Sequence, residues 1–337
     1  MRRITINGPG SVRLDTTGPP SPPPGWARIR VVACGICGTD AHYLRGMPLP
    51  PGVSYPLVPG HEVAGVVTEL NEPAGDIAVG DLVLPHLIIP CGACESCASG
   101  REQRCATAPI LGIHEPGGLA DELVWPVSRL VRANGLDPVT AAILPDAAAT
   151  AYHALTVAGV PDGGVLCVFG AGGVGTALVH LARVLVPEAT VVAVVRSEAT
   201  RRRVAELGVP AFTAGRLKEL RREVGPADVA IDFTGSPETP AQAVRTLRPG
   251  GRLVLGSVTP GDLNLGWITS FVTREISVSG TYTSTIDDLR QVVALLRDGR
   301  LDLSGMVSHR LPLDRATEAF DLLDRRPDGL VRIVAEP

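Results

Sequence analysis

The segment VLCVFGAGGVGTALVHLAR, residues 165–183, constrains the fold of this 337-residue chain more than any other. Val165 to Phe169 is an apolar run of strand length, Gly170, Gly172 and Gly175 follow in GxGxxG spacing, and Val174 to Val186 carries the apolar period of a helix. A strand that turns over three glycines directly into a helix has a physical use. Gly170 permits the tight turn, Gly172 lets the backbone come close to a pyrophosphate, and Gly175 lets helix and strand pack closely. The start of the helix, at Gly173 and Val174, offers free backbone N–H groups and the positive end of its dipole, which together favour an anion. Thr190 to Val195 then supplies a second strand and closes a βαβ unit. A glycine-rich turn in any α/β protein is the bland alternative, and the flanking strands favour dinucleotide binding over it.

From about Leu144 onward, Ala-rich helical stretches alternate with short Val-rich runs, the pattern of a parallel sheet wrapped by helices. Further strands are expected at Asp228 to Phe233, Arg252 to Leu255 and Ile276 to Ser279, and helices at Ser197 to Leu207 and Ile286 to Arg297. Before Leu144 the chain reads as β-rich and irregular. Ala27 to Ala33, Glu62 to Glu69 and Asp81 to Leu84 have strand character and are separated by Gly- and Pro-rich turns. The first 25 residues are rich in proline, which lacks the donor a central strand needs, and read as edge and loop. Two domains suit this length.

Four of the seven cysteines crowd into CGACESCASGREQRC, as Cys91, Cys94, Cys97 and Cys105. In a reducing compartment such crowding argues for metal rather than disulfides. Four thiolates on one short lobe can surround zinc tetrahedrally and leave no position for water, which makes the site structural. A nucleic-acid zinc ribbon is the rival, but only Arg101 and Arg104 lie near. Cys37, in GICGTDAH just past a strand, and His61, in PGHEVAGVV just before one, could project from adjacent loops. Each alone is more often a packed thiol or a satisfied histidine. Cys34 and Cys37 also form a CxxC, yet no thioredoxin-like helix pattern follows it.

Taken in order, GICGTD, GHE, the four-cysteine lobe and GAGGVG resemble the zinc-containing medium-chain alcohol and polyol dehydrogenases over nearly the whole chain. The resemblance implies an α/β protein with a GroES-like β-rich catalytic domain (1–147) and a Rossmann domain with a doubly wound parallel sheet (148–279). Residues 280–337 would return to the catalytic domain, leaving the cleft between the two. It also implies that Cys37 and His61 bind a catalytic zinc. The third ligand varies in this family among Cys, Glu and Asp, and falls here on Asp146 in ILPDAAATAYHAL; an ordinary helix N-cap aspartate is the alternative. By the same resemblance Asp40 would fix the ring of His61 and Glu62 would lie beside the metal. Thr39 would take the substrate proton, His42 would pass it toward solvent, and Thr150 would touch the nicotinamide. Arg332, in GLVRIV, would contact the pyrophosphate, with a solvated surface arginine as the competing reading. Two zincs per chain and a homodimer or homotetramer are expected.

The function implied is hydride transfer between a nicotinamide cofactor and a secondary alcohol or its ketone. NAD-linked enzymes usually place Asp or Glu about 20 residues past the glycines to bind the ribose hydroxyls. Here that position is Val195, followed by Arg196, Ser197 and, a turn further, Arg201 and Arg202. A missing carboxylate and a guanidinium that can grip phosphate favour NADP over NAD. The tail from Thr281 to Phe320 looks closer to polyol and threonine dehydrogenases than to ethanol enzymes, so a polyol, sugar-like or amino-cyclitol alcohol is the expected substrate. A zinc-free enone or quinone reductase of the same fold is one rival, but it has no use for Cys37, His61 and Asp146 together. A non-enzymatic zinc-ribbon binding protein is the other. With a formal charge of −4 the chain has no electrostatic reason to bind nucleic acid or an anionic membrane, and no apolar run approaches a membrane span. A cytoplasmic location is expected.

Overall fold

The proline-rich start does more than form loop. In the computed structural model, which describes residues 1–72 and 75–337, Arg2–Gly8 (β1) and Ser11–Thr16 (β2) pair as an antiparallel hairpin ahead of the proline cluster. The alternation in ARIRVVA lies inside a longer strand, Trp26–Ile36 (β3), that buries Ala27, Ile29, Val31 and Ala33. A short helix, Gly38–Leu44 (α1), follows, then Glu62–Leu70 (β4) and Leu82–Pro85 (β5). The cysteine lobe contributes one helical turn, Glu95–Ala98 (α2). After it come Glu122–Pro126 (β6), Leu130–Arg132 (β7) and Pro138–Ala142 (α3).

The chain divides into two compact units, one made of Met1–Ala149, Ser284–Gly299 and Ser304–Pro337, the other of Thr150–Thr283 and Arg300–Leu303. The second unit begins within Ala149–Ala158 (α4). It continues through Val165–Phe169 (β8), Gly173–Leu185 (α5), Thr190–Val195 (β9), Glu198–Glu206 (α6), Ala211–Thr213 (β10) and Leu217–Glu223 (α7). Ala227–Asp232 (β11), Thr239–Thr246 (α8), Leu247–Leu255 (β12), Ile268–Val272 (α9) and Ser277–Gly280 (β13) complete it. Its six strands lie parallel in the order β10-β9-β8-β11-β12-β13. The order reverses between β8 and β11, and in such open sheets ligands bind beyond the strand ends at that reversal. The Gly170 turn sits there.

The chain then returns to the first unit as Ile286–Arg297 (α10), Val307–Pro312 (β14), Glu318–Arg325 (α11) and Arg332–Glu336 (β15). Its large sheet runs β14-β15-β3-β4-β5-β7, with β6 also on β3. Register decides what meets at its end. Gly35 of β3 pairs with Glu62 of β4, and Ile36 pairs with Ile333 of β15. Cys37, His61 and Arg332, each one residue beyond or at a strand end, therefore gather at one edge although up to 295 positions separate them.

A buried polar network that no sequence motif signals holds the cysteine lobe to this sheet. His86, fully buried after β5, accepts at Nδ1 from Arg129 Nη2 (2.7 Å) and faces the Ser284 carbonyl with Nε2 (3.1 Å). Arg129 also donates to Glu102 (2.7 Å) and to the Ile88 carbonyl (3.1 Å), and Glu102 accepts the Ile286 N–H that opens α10 (2.8 Å). Burial first, then the Arg129 guanidinium, push the His86 imidazole down to about 3. In the unfolded chain its pKa returns to about 6.5. Stability from this group is therefore complete above that value and is lost as pH falls toward 3. Urea unfolding from pH 5 to 6.5 should show a stability that rises with pH, and His86→Asn should flatten that slope by up to about 1.4 kcal/mol per pH unit. Equal slopes in the two proteins would contradict the assignment.

Candidate active site

Cys37 is the N-cap of α1, and Asp40 in the first turn reaches back to its N–H (2.9 Å) in a capping box. The other carboxylate oxygen of Asp40 accepts the Gly60 N–H (3.2 Å) and faces His61 Nδ1 at 3.4 Å. One buried aspartate thus ties together the two loops that carry Cys37 and His61. The far side of the His61 ring, Nε2, lies 3.6 Å from Asp146 Oδ2, which in turn is 3.5 Å from Cys37 Sγ. All three donor atoms lie within 4.8 Å of one another. An ion bound tetrahedrally by sulfur, nitrogen and oxygen at ~2.0–2.3 Å needs donors ~3.3–3.8 Å apart, and this soft–borderline–hard set suits zinc. The residues fit the metal.

Asp146 does not cap a helix. It lies in a π-helical turn, Leu144–Ala148, between α3 and α4, where Pro145 removes one backbone donor and Ala148 N–H bonds back to the Ile143 carbonyl (3.4 Å). Glu62 Oε1 accepts the Ala147 N–H (3.0 Å) and so holds this turn in place. Glu62 is itself gripped by Arg332, through Nε to Oε2 (2.7 Å) and Nη2 to Oε1, and Nη2 also reaches Asp146 Oδ2 (3.2 Å). Glu62 and Arg332 are almost fully buried. Burial would raise the Asp146 carboxyl, but the hydrogen bond and charge of His61, then Arg332, outweigh it and hold it well below the usual carboxylate range.

The four-cysteine lobe is a separate cluster. Cys91 and Cys97 sulfurs are 3.9 Å apart, and those of Cys94 and Cys97 3.4 Å, again near the ~3.8 Å edge of a tetrahedron with Zn–S of ~2.3 Å. Backbone N–H groups of Cys94 and Cys91 point at the sulfurs of Cys91 and Cys105 (3.4 Å each). The Cys91 amide leads the influences that pull the Cys105 thiol down to about 6. Amides that stabilise thiolates are what a closed, four-sulfur metal site requires.

In the second unit, Gly170 sits at φ +87°, and a Cβ on Gly175 would stand 1.8 Å from the Gly170 carbonyl oxygen, so neither position tolerates a side chain. No side chain caps the start of α5. Arg196 is exposed after β9, and no carboxylate engages it among the described residues. Ser197 caps α6 by accepting the Thr200 N–H (3.1 Å), while Arg201 is held by Glu198 (2.6 Å).

These two sets of features, a thiol–imidazole–carboxylate cluster and an open glycine turn at a strand reversal, have known counterparts. The family described as the alcohol dehydrogenase GroES-like domain matches residues 23–135, and that described as zinc-binding dehydrogenase matches residues 173–298. L-galactonate-5-dehydrogenase of Escherichia coli K12 is 31% identical over 308 residues, 90% of this chain and 89% of the relative. The chain belongs to the zinc-containing medium-chain dehydrogenases. An L-threonine 3-dehydrogenase of Saccharopolyspora erythraea is 30% identical, with 95% of each chain covered. The solved structure of a zinc-binding dehydrogenase of Sinorhizobium meliloti 1021, bound to NADP, matches with a TM-score of 0.89 at 29% identity over 100% of this chain and 99% of that one. As a medium-chain dehydrogenase the protein joins a GroES-like unit to a Rossmann unit, and it is a zinc-dependent, nicotinamide-linked oxidoreductase acting on alcohols.

Of the residues singled out in the sequence, the structure brings together Cys37, Thr39, Asp40, His61, Glu62 and Asp146, with Thr39 Oγ1 3.8 Å from Cys37 Sγ. His42 follows in α1, half-buried. Thr150 is buried at the start of the second unit. Arg332 is not a solvated surface group: it is buried, and its Nε and Nη2 bond to Glu62 and Asp146. A pair 270 positions apart leaves no periodic or spacing signal, so sequence could not supply it. Removing one partner of a buried pair strands the other charge, at about 3–5 kcal/mol. Arg332→Leu should lower the unfolding free energy by about that much, whereas Arg310→Leu, which breaks the exposed pair with Glu336, should cost at most about 1 kcal/mol. Equal small losses in urea unfolding would contradict a framing role for Arg332.

Proposed function

We propose that the chain oxidises a small secondary alcohol of polyol, sugar-like or amino-cyclitol type, or reduces the matching ketone, with NADP preferred to NAD. The observation that carries this reading is the convergence of Cys37 Sγ, His61 Nε2 and Asp146 Oδ2 within 4.8 Å of one another. These three would hold a zinc ion, which would supply a Lewis acid for the substrate oxygen, and the nicotinamide would supply the hydride acceptor or donor. Cys91, Cys94, Cys97 and Cys105 would hold a second, structural zinc. The remaining work falls to side chains of the chain itself. Asp40, 3.4 Å from His61 Nδ1, would orient the ring and leave Nε2 for the metal. Thr39, beside Cys37, would take the proton of a substrate hydroxyl. His42 would receive it: burial, then Arg45 and Arg326, lower its pKa, and its buried Nδ1 has no partner among the described residues. Glu62, gripped by Arg332 and the Ala147 amide, is kept from acting as the third ligand, which favours Asp146 for that role.

The relatives named above act on L-galactonate and L-threonine, which supports a polar, multifunctional alcohol. Trp267 and Ile268, 83% and 81% exposed, open α9, the helix that precedes the edge strand β13 in the chain, and exposed apolar side chains together with an unpaired edge suit a second copy of the chain. A single-chain mass by light scattering would overturn that homo-oligomer. Seven free thiols, four of them gathered for metal, suit the cytoplasm; no helix among the described residues is long and apolar enough to cross a membrane.

The cofactor preference rests on Val195 in place of a carboxylate and on the exposed Arg196 after it. A panel of polyols, sugar alcohols and amino-cyclitols assayed with both cofactors should give the higher kcat/KM with NADP. Arg196→Ala should lose about tenfold with NADP alone, the worth of one charge-assisted phosphate contact. A wild type that prefers NAD, or an unselective loss in the variant, would refute the preference.

A further inference from the structure

Arg203 lies on α6, two residues past the arginine held by Glu198, yet it turns inward rather than joining the exposed cluster. It is half-buried, its Nη2 donates to the Ala171 carbonyl (2.5 Å), and its Nη1 donates to Thr176 Oγ1 (3.3 Å). Thr176 Oγ1 donates to the same carbonyl (3.0 Å). Ala171 is the second residue of the glycine turn, and the peptide that follows its carbonyl carries the N–H of Gly172.

A trans peptide is planar, so its C=O and N–H point in opposite directions. Pinning the Ala171 oxygen toward Arg203 therefore fixes the Gly172 N–H toward the other side. Gly172 itself is loosely surrounded: a Cβ built on it would meet nothing within 4 Å. A turn made of Gly170, Ala171, Gly172 and Gly173 is poor in side chains that could hold it, and glycine allows the peptide to rotate at little steric cost. Rotation would present a carbonyl oxygen where an anion needs a donor.

We propose that Arg203 is a positioning residue that locks the Ala171–Gly172 peptide with its N–H facing the pyrophosphate of the dinucleotide. The proposal rests on the reading of this turn as the dinucleotide site. It differs from the role given to Arg196, because the pyrophosphate is common to NAD and NADP and the 2′-phosphate is not.

The test uses the purified full-length protein with Arg203→Leu and the conservative Arg203→Lys. Affinities for NADPH and NADH are measured by fluorescence titration, and amide hydrogen exchange is followed over residues 170–176 without cofactor. Arg203→Leu should lose about tenfold in affinity for both cofactors, the worth of one charge-assisted hydrogen bond, and Arg203→Lys should recover most of it. Exchange over the turn should quicken in the leucine variant and not in the lysine one. Should the leucine variant fail to fold, Thr176→Val removes the second bond to the same carbonyl and should weaken both cofactors to a lesser extent. Wild-type affinities together with wild-type exchange would overturn the proposal. A loss confined to NADPH would make Arg203 a phosphate ligand and overturn it too. A wild type that binds neither cofactor would instead overturn the dinucleotide reading on which it rests, while the exchange rates would still report whether the lock exists.

Discussion

The buried pair between Arg332 and Glu62 is the contact on which the first unit's site depends. Arg332 opens the last strand, Glu62 opens β4, and the second oxygen of Glu62 takes the Ala147 N–H of the π turn that aims Asp146. Three stretches of chain, around residues 62, 146 and 332, are fixed to one another through a single guanidinium and a single carboxylate. Burying two charges is costly, and the cost is offset only when geometry is good and every remaining lone pair is satisfied. Here the fork of Arg332 meets both oxygens of Glu62 and still reaches Asp146, so the pair serves as a frame for a ligand set rather than as a source of stability.

That frame explains the electrostatics around Cys37. Asp40, Glu62 and Asp146 bring three carboxylates, and Cys37 a thiol, to a region whose cationic groups are Arg332 and His61. Neighbouring acids pull His61 well above its ordinary value against the burial that lowers it. An imidazole with a thiol and a carboxylate at coordination distance is arranged for a cation. The lobe of four cysteines repeats the theme with amides in place of carboxylates, and the network of His86, Arg129 and Glu102 fastens that lobe to the sheet.

Much of this was legible in the sequence wherever the signal is local. The strand, turn and helix around Gly170 are consecutive residues, and Val165–Phe169, Thr190–Val195 and Ile286–Arg297 were readable at their observed bounds because apolar period and punctuation coincide there. The cysteine lobe is local too. Cys37 and His61 could be proposed because each borders a strand, but pairing them needed either the β3–β4 register or a resemblance. What stayed hidden is what depends on long-range register or on side-chain direction. The hairpin at residues 2–16 was masked by the prolines after it, and the π turn at Asp146 by an ordinary helical composition. The bonds of Arg332 to Glu62 and of Arg203 to the Ala171 carbonyl depend on side-chain direction, which no local pattern encodes.

We propose that two metal clusters divide the work, one for chemistry and one for folding. Metal content by mass spectrometry, measured with turnover and unfolding on the same preparations, tests it most directly. The wild type should carry two zincs per chain. His61→Ala should keep one, retain its fold and lose turnover, whereas Cys97→Ser should lose the other and unfold more readily, because a structural zinc contributes folding free energy. A fully active wild type with one zinc per chain, or a His61→Ala variant that still turns over, would contradict the account.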